Sequence, residues 1–327
     1  MTTTLNVALI GCGGFVRHTH LNNLLANDRF HIHAAVDPDL DAARDIARQA
    51  GAAYATGDAD RALQDPAVDV AMIVTPHHTH ADLTIRAARA GKHIYCEKPM
   101  ALNEADCLAV AEAVRAAGVT YTGGYNRGIA PFTLQAREIL AALDAPMLVC
   151  HRWADWYPYS RGWLLDEAQS GSRVVGEAGH ALDMMCRLAG QDPVRVYAEG
   201  GVLVAETPEA GPDSALITLG FPDGSAGTLM LSSLGNNGFP KEEIVITCAN
   251  HTIVMYGFQQ MDVYSPKGRE TVTLPEEDKG LRGMLDVVAR VVLDGAPSPI
   301  GIPEALRAAR ITFAARRAIA THAVQTL

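Results

Sequence analysis

Short apolar runs alternate with stretches of helical period over about the first 125 residues of the chain. Each run is closely followed by glycine or proline and is too short for a helix, so it predicts a buried strand. The predicted strands are Leu5–Ile10, 32–36, 70–74, His93–Cys96 and 119–122. Helices are predicted between and after them, over 16–26, 38–50, 81–91 and 103–118. Such alternation predicts a doubly wound parallel sheet with helices on its faces.

Beyond about residue 127 the alternation gives way to successive strand-like runs. The predicted strands are 147–152, 194–205, 215–221, 226–232, 244–247 and 252–256. Two helical stretches, near 178–189 and 303–322, interrupt them. This order predicts an α+β domain with a large, mostly antiparallel open sheet. We therefore expect an α/β protein with domains over 1–125 and 126–327, in which helix 303–322 is a candidate to pack back on the first domain.

Composition and charge exclude several classes of protein. Of the 327 residues, 48% are hydrophobic and 20% are charged, which is typical of a soluble, well-packed chain. The net charge of −10 and the lack of a basic run exclude a nucleic acid or an anionic membrane as partner. No apolar stretch approaches the ~18 residues of a membrane span, and the N-terminus lacks a signal-peptide pattern. We expect a cytoplasmic protein.

Neither the cysteines nor the histidines predict a metal site. The six cysteines are scattered without a Cys-x-x-Cys pair, which predicts reduced thiols rather than disulfides or zinc ligands. His77, His78 and His80 are close in sequence, but their spacing is poor for one site and no cysteine or carboxylate cluster supports them. We expect no bound metal.

A glycine-rich turn follows the first predicted strand and opens a helix. Of Gly11, Gly13 and Gly14, the first suits a tight turn, and the second allows the backbone to approach a pyrophosphate that binds at the helix N-terminus. This context indicates a Rossmann-type dinucleotide site. Val16 occupies the third glycine position of G-x-G-x-x-G, so an ordinary strand-to-helix turn remains the alternative.

Asp37 strengthens the dinucleotide interpretation. It lies 24 residues after Gly13, at the end of the second predicted strand, where a carboxylate can bind the adenosine ribose hydroxyls. The same charge would repel a 2′-phosphate, and Pro38 and Asp39 follow instead of an arginine, which favours NAD over NADP. A helix N-cap is the alternative role of Asp37, and the two roles are compatible.

Four further segments resemble signatures of the Gfo/Idh/MocA oxidoreductase family. Their order and spacing match those of the family over essentially the whole chain. The segments are Thr75-Pro76 with His80, Cys96-Glu97-Lys98-Pro99-Met100, Gly124-Tyr125-Asn126-Arg127 and His180-Ala181-Leu182-Asp183.

The resemblance implies hydride transfer between a nicotinamide and a secondary alcohol of a sugar, polyol or sugar derivative. Lys98 would hydrogen-bond the reacting hydroxyl, and His180 would be the general acid/base. The alternatives are a surface salt bridge between Lys98 and Glu97, and a buried structural role for His180. The expected NAD-binding residues are Gly11, Cys12, Gly13, Gly14, Phe15, Val16, Asp37, Thr75, Pro76, His77, His80, Glu97, Lys98 and Asn126.

One position departs from the family pattern. The family commonly carries an aspartate four residues before the histidine, where this chain has Gly176. Glu177, which is close to the histidine in sequence, and Asp183, one helical turn beyond it, are both candidates to orient the His180 imidazole.

The three tryptophans lie within eleven residues, beside tyrosines and interleaved charges. Aromatic faces next to polar groups suit a sugar, whereas core packing or a subunit contact is the alternative. Arg152 or Arg161 could instead bind an anionic substrate group. The expected substrate-binding residues are Lys98, Arg152, Trp153, Trp156, Tyr157, Arg161, Trp163, Glu177 and His180.

Two other functions use the same residues. A redox glycosidase would keep NAD bound and cleave by oxidation, elimination and re-reduction, and a non-catalytic regulator would bind the dinucleotide alone. The presence of Lys98 and His180 favours an enzyme. The expected partners are a small sugar-like substrate and, through the C-terminal sheet, a second copy in a homodimer or homotetramer. The sequence names neither the sugar nor the carbon that is oxidised.

Overall fold

A parallel six-stranded sheet forms the centre of the N-terminal part of the protein. The computed structural model describes residues 4–156, 162–204 and 208–327. The strands are Leu5–Ile10 (β1), Phe30–Val36 (β2), Tyr54–Thr56 (β3), Val70–Ile73 (β4), His93–Cys96 (β5) and Tyr121–Gly123 (β6). Their spatial order is β3-β2-β1-β4-β5-β6, which is the doubly wound topology expected from the sequence. The chain reverses its direction of growth between β1 and β4, where such sheets bind ligands.

The helices of this part begin and end at residues that suit their positions. They are Leu21–Leu25 (α1), Leu40–Ala50 (α2), Ala59–Leu63 (α3), His80–Arg89 (α4) and Glu104–Ala117 (α5). The Asn103 side chain caps α5 by accepting the Asp106 N–H, as the spacing predicts. Gly118 ends the helix with a φ of 66°, a left-handed conformation that glycine adopts without strain.

The predicted helix over 16–26 is not a uniform α-helix. Residues Val16–His20 form a π-helical turn, and α1 begins only at Leu21. The short strand β3 and helix α3 were missing from the sequence prediction, because three to five residues carry too little periodicity to be recognised.

A nine-stranded sheet forms the second part. Its strands are Met147–Ala154 (β7), Arg195–Gly201 (β8), Ser214–Gly220 (β9), Ala226–Ser232 (β10), Glu242–Cys248 (β11), His251–Tyr256 (β12), Gln260–Ser265 (β13), Gly268–Thr273 (β14) and Gln325–Thr326 (β15). The spatial order is β14-β13-β12-β11-β7-β10-β9-β8-β15. Only β7 and β10 pair in parallel among these strands, so the expected mostly antiparallel sheet is confirmed.

One face of this sheet is buried against helices, and the other carries exposed side chains. The helices are Pro131–Leu143 (α6), Glu167–Ser170 (α7), Ser172–Gly176 (α8) and Ala178–Ala189 (α9). Along β7 the burial alternates, with Val149, His151 and Trp153 inward and Leu148 outward. Residues of α9 join the inward residues in one apolar core. The core of this part therefore lies between the sheet and α9.

The structure divides the chain differently from the predicted domains 1–125 and 126–327. The structure divides into one unit of Met1–Tyr125 with Leu281–Leu306, and another of Asn126–Gly280 with Arg307–Leu327. Helix Leu281–Leu293 (α10), which the sequence analysis did not predict, thus belongs to the first unit. The Gly123 N–H donates to Ile300 O at 2.8 Å, which ties this segment to β6. The division falls within helix Ile302–Thr321 (α11).

The cysteines and the helices bear on two further expectations. All six cysteines are free thiols. Among the helices in the described parts of the chain, none has both the length and the apolar character that a bilayer crossing needs.

Candidate functional site

The glycine turn after β1 is shaped by one close backbone approach. Gly11 has a φ of 98°, and a Cβ built there would lie 2.2 Å from Val74 O, so no other residue fits. A Cβ at Gly13 or Gly14 would meet no atom of the described residues within 4 Å, and both are exposed. Their small size is thus not required by packing within the protein, which fits a turn whose backbone is approached by a ligand.

Asp37 follows β2 directly and is bound to the glycine turn. Its Oδ2 accepts the Cys12 N–H at 2.8 Å, and its Oδ1 accepts the Asp39 N–H at 2.8 Å. An ionised carboxylate has about four acceptor positions, so each oxygen keeps capacity for a ribose hydroxyl. The N-cap of α2 is Asp39, which accepts the Asp41 and Ala42 N–H groups, so the N-cap alternative for Asp37 is wrong.

The other predicted residues of the loop differ in exposure. The Phe15 side chain is 51% exposed, whereas Val16 is buried in the place where the full motif would have glycine. Cys12 is also buried, and burial together with the Asp37 charge raises the pKa of its thiol to about 12. The thiol is therefore neutral at physiological pH.

His80 is a structural residue, although the sequence analysis placed it against the cofactor. Its side chain is fully buried, with Nδ1 2.7 Å from Pro99 O and Nε2 2.9 Å from Thr75 O. Burial lowers its pKa despite these carbonyls, so the ring is neutral and cannot donate from both nitrogens at once. His80 therefore joins the Thr75-Pro76 segment to the Lys98–Pro99 peptide, which is cis. The neighbouring His77 is also buried, and its ring centroid lies 5.5 Å from that of His80.

Glu97 and Lys98 follow β5 at the carboxyl edge of the parallel sheet. Glu97 is buried, and its Oε1 accepts hydrogen bonds from His20 Nε2 at 3.0 Å and from the Tyr95 hydroxyl at 2.8 Å. Burial alone would raise the pKa of Glu97, but His20, Lys98 and Tyr95 together hold it below its ordinary value. A surface salt bridge between Lys98 and Glu97 is therefore the wrong description of this pair, and Lys98 itself is half-buried.

In the second unit, His180 lies in the first turn of α9 and is buried. Its ring centroid is 6.2 Å from that of Trp153, with the planes tilted by 34°. Trp153 is itself 1% exposed, with the Arg127 guanidinium carbon 4.0 Å above its ring. The alternative of core packing therefore describes Trp153 better than an exposed sugar-stacking face.

A buried charge cluster surrounds this tryptophan. Arg127 donates from Nε and Nη2 to the Glu242 carboxylate at 2.9 and 2.7 Å. His151 Nε2 lies 3.4 Å from the same carboxylate, and Lys279 Nζ lies 3.7 Å from it. Burial raises the pKa of Glu242, but Arg127 and His151 hold it well below its ordinary value. Burial lowers the pKa of His151 despite Glu242.

The two candidate partners of His180 differ in their surroundings. Both oxygens of Asp183 are bound, Oδ2 to Arg187 Nε at 2.6 Å and Oδ1 to Arg307 Nη2 at 2.9 Å. Asp183 is fully buried between these arginines, which hold its carboxylate in place. Glu177 is half-buried at the start of α9, and both carboxylates stay candidates to orient the imidazole.

The predicted substrate residues on β7 do not share one face. Trp153 points inward, whereas Arg152 lies on the outer face, where Nη1 donates to Pro240 O at 2.8 Å. The Arg152 guanidinium carbon is 4.6 Å from the Phe239 ring centroid. A single site cannot use both residues, because successive strand residues point to opposite faces.

The remaining predicted residues lie in loops. Trp156 is half exposed, and its backbone N–H donates to Asn237 Oδ1 at 2.8 Å. Trp163 is partly exposed in the short 3₁₀ turn Gly162–Leu165. Tyr157 and Arg161 lie outside the described residues. Asn126, a predicted cofactor residue, donates from Nδ2 to Lys279 O at 2.7 Å within the second unit.

Sequence reasoning missed His20, His151 and Glu242. A signal for the last two was present, because each occupies an inward position of a strand whose other inward residues are apolar. His20 had no such signal, since its burial depends on the local π-helical turn.

Two family models match most of the chain. Residues 5–125 match the model described as "Oxidoreductase family, NAD-binding Rossmann fold". Residues 133–254 match the model described as "GFO/IDH/MocA C-terminal domain". The first unit is therefore an NAD-binding domain, and the residues around Gly11 and Asp37 are consistent with that cofactor.

Curated relatives and solved structures extend the likeness. Myo-inositol 2-dehydrogenase of Thermotoga maritima is 27% identical over 85% of this chain and 80% of its own length. scyllo-Inositol 2-dehydrogenase (NAD(+)) of Bacillus subtilis is 26% identical over 84% of this chain and 81% of its own. A levoglucosan dehydrogenase in complex with NADH and levoglucosan has a TM-score of 0.88 at 21% identity, covering 99% of both chains. At that identity the likeness shows a shared fold.

Proposed function

The chain belongs to the Gfo/Idh/MocA family of NAD-dependent oxidoreductases, and on this premise we propose that it transfers hydride between NAD and a secondary alcohol of a sugar, polyol or sugar derivative. The observation that carries the proposal is the placement of Lys98. It follows β5 at the carboxyl edge of the sheet, the edge that also carries the glycine turn and Asp37. Relatives named for inositol and levoglucosan support a polyhydroxylated substrate.

The residues of the first unit bind and orient the cofactor. The backbone of the turn at Gly13 and Gly14 receives the pyrophosphate, and the Asp37 carboxylate accepts ribose hydroxyls. Bound NAD supplies the hydride acceptor. The negative charge of Asp37 disfavours a 2′-phosphate at the same position, which supports NAD over NADP.

Lys98 and His180 handle the proton of the reaction. As the alcohol carbon loses hydride, its hydroxyl must lose a proton, and the carbonyl forms. The Lys98 ammonium donates a hydrogen bond to the hydroxyl oxygen and stabilises the negative charge that develops there. The His180 imidazole accepts the proton, and it returns one when the reaction runs towards the alcohol.

Removal of the Lys98 ammonium tests this assignment. Lys98→Met keeps the aliphatic stem, so we expect kcat to fall by about 10²–10⁴ while the Kd for NAD changes little. NADH formation is measured across inositols, anhydrosugars, monosaccharides, uronic acids and glycosides to find the substrate. His180→Asn should give a loss of similar size.

The matched control is Lys267→Met, which removes an exposed lysine of a turn in the second unit. It should leave kcat unchanged. Wild-type turnover by Lys98→Met would contradict the proposed chemistry. Cleavage of a glycoside by the wild type with no net NADH would identify the redox glycosidase instead.

A further inference from the structure

We propose that His20 and Glu97 form a positioning pair for Lys98, linking the helix after the glycine turn to the strand end that carries the lysine. The inference rests on the proposed function, because it takes Lys98 as the residue that contacts the reacting hydroxyl. Neither residue of the pair contacts that hydroxyl in this proposal. They act through Lys98.

The pair is buried and directly bonded. His20 Nε2 lies 3.0 Å from Glu97 Oε1, and the two side chains are 5% and 8% exposed. The Tyr95 hydroxyl donates to the same oxygen at 2.8 Å. The other oxygen, Oε2, lies 3.3 Å from the Lys98 N–H. The carboxylate is thus held by two side chains on one oxygen and meets the Lys98 backbone with the other.

The position of His20 depends on an irregular turn. The π-helical residues Val16–His20 lie immediately after the glycine turn, and His20 is buried where its neighbours Arg17 and His18 are not. Single π turns often occur at functional sites. The His20 ring also meets Phe15 of the turn edge to face, with centroids 5.2 Å apart. His20 therefore contacts both the turn that receives the cofactor and the residue before Lys98.

Gly124 closes the remaining side of the carboxylate. A Cβ at this position would lie 2.7 Å from Glu97 Oε2 and 2.9 Å from its Cδ. The Gly124 N–H donates to Cys96 O at 2.8 Å, which fixes the two strand ends together. A glycine is needed here to leave room for the Glu97 side chain. Three separate sequence motifs thus meet at one carboxylate.

The pair has a chemical consequence for Lys98. A buried carboxylate beside the lysine supplies a fixed negative charge that attracts the ammonium, and this attraction is stronger where water is excluded. A reacting group that is displaced by about 1 Å can lose roughly 10²-fold in rate. The expected effect of breaking the pair is thus on turnover rather than on NAD affinity.

Two substitutions of His20 separate positioning from packing. His20→Leu removes the donor to Glu97, and we expect kcat to fall by roughly 10- to 100-fold with the KM and Kd for NAD little changed. His20→Gln retains an N–H donor near the same position, so it should restore most of the loss. His18→Leu, an exposed neighbour in the same turn, is the matched control and should behave as wild type.

If His20→Leu does not fold, Glu97→Gln and Tyr95→Phe test the same carboxylate with smaller changes of shape. Wild-type kcat in folded His20→Leu would overturn the proposal. A loss of kcat that is equally large in His20→Gln and His20→Leu would also overturn it. So would a loss of kcat that is fully explained by a smaller fraction of folded protein, as measured by circular dichroism.

A double mutant separates this inference from the proposed function. In the Lys98→Met background, His20→Leu should cause no further loss of kcat, because its effect passes through the lysine. An additive loss there, with Lys98→Met still impaired, would refute the positioning role while leaving the Lys98 assignment intact. Wild-type turnover by Lys98→Met alone would instead refute the proposed function.

Discussion

Glu242→Gln should destabilise the second unit strongly, although Glu242 itself belongs to none of the sequence motifs. The carboxylate is 1% exposed and receives two hydrogen bonds from Arg127, whose side chain is 7% exposed. The glutamine has nearly the same shape, so the substitution leaves the packing and removes the charge. The Arg127 guanidinium is then buried with no counterion at that position.

The expected magnitude follows from the burial of both partners. Removal of one member of a buried ion pair costs about 3–5 kcal/mol, because the other charge stays buried. For a unit of this size, each kcal/mol lowers Tm by about 2–4 °C, so the expected change is roughly 6–20 °C. Lys279 Nζ also lies 3.7 Å from the carboxylate and loses part of its counter-charge.

The pH dependence of the loss gives a second, independent readout. Arg127 holds the pKa of Glu242 well below its ordinary value, so the carboxylate is more acidic in the folded protein than in the unfolded chain. Its contribution is fully present above the ordinary value of 4.5 and is lost as pH falls through the folded pKa. The Tm difference between wild type and Glu242→Gln should be largest near neutral pH and shrink in acid.

Differential scanning calorimetry from neutral to acidic pH measures both quantities. Glu243→Gln is the matched control, since the neighbouring glutamate points to the opposite, partly exposed face of β11 and should change Tm little. If the Tm of Glu242→Gln differs from that of the wild type by less than about 2 °C, the reasoning is refuted, because even 1 kcal/mol should shift Tm by about that much. A loss that stays constant across the acidic range would show that the charge is not its cause.

Two further predictions concern the cofactor and the assembly. Asp37→Asn removes the charge at the adenosine ribose, so the preference for NAD over NADP in kcat/KM should fall by about tenfold, and a wild type that prefers NADP would contradict the assignment. Leu148 and Leu216 are more than half exposed on the outer face of the nine-stranded sheet, so we expect a homodimer or homotetramer through that face. Leu216→Glu should lower the molecular mass measured by light scattering, whereas the control Leu108→Glu, on α5, should leave it unchanged. An unchanged mass for Leu216→Glu would exclude this face as the subunit contact.

Local pattern alone determined much of the first unit. The apolar runs, the glycine turn and the acid after the second strand each depend on neighbours within a few residues, so the sequence placed β1, β5, Gly11 and Asp37 correctly. The parallel order of the sheet followed as well, because strand–helix alternation leaves few topologies open.

The environment of the predicted chemical groups was decided by contacts between distant segments. Glu97 meets His20 across 77 positions of sequence, and Arg127 meets Glu242 across 115. No local period encodes such pairs, since each depends on the register of the strands and on one irregular turn.

The role of Asp183 shows the same limit. The sequence makes Asp183 one of two candidates to orient the His180 imidazole, but it does not show that Arg187 and Arg307 bind both oxygens of Asp183 in the folded unit. The sequence by itself thus determined the elements and the residue types of the chemistry. Only the tertiary structure decided which carboxylate lies beside which base, because a buried charge is stabilised by partners that folding brings from far along the chain.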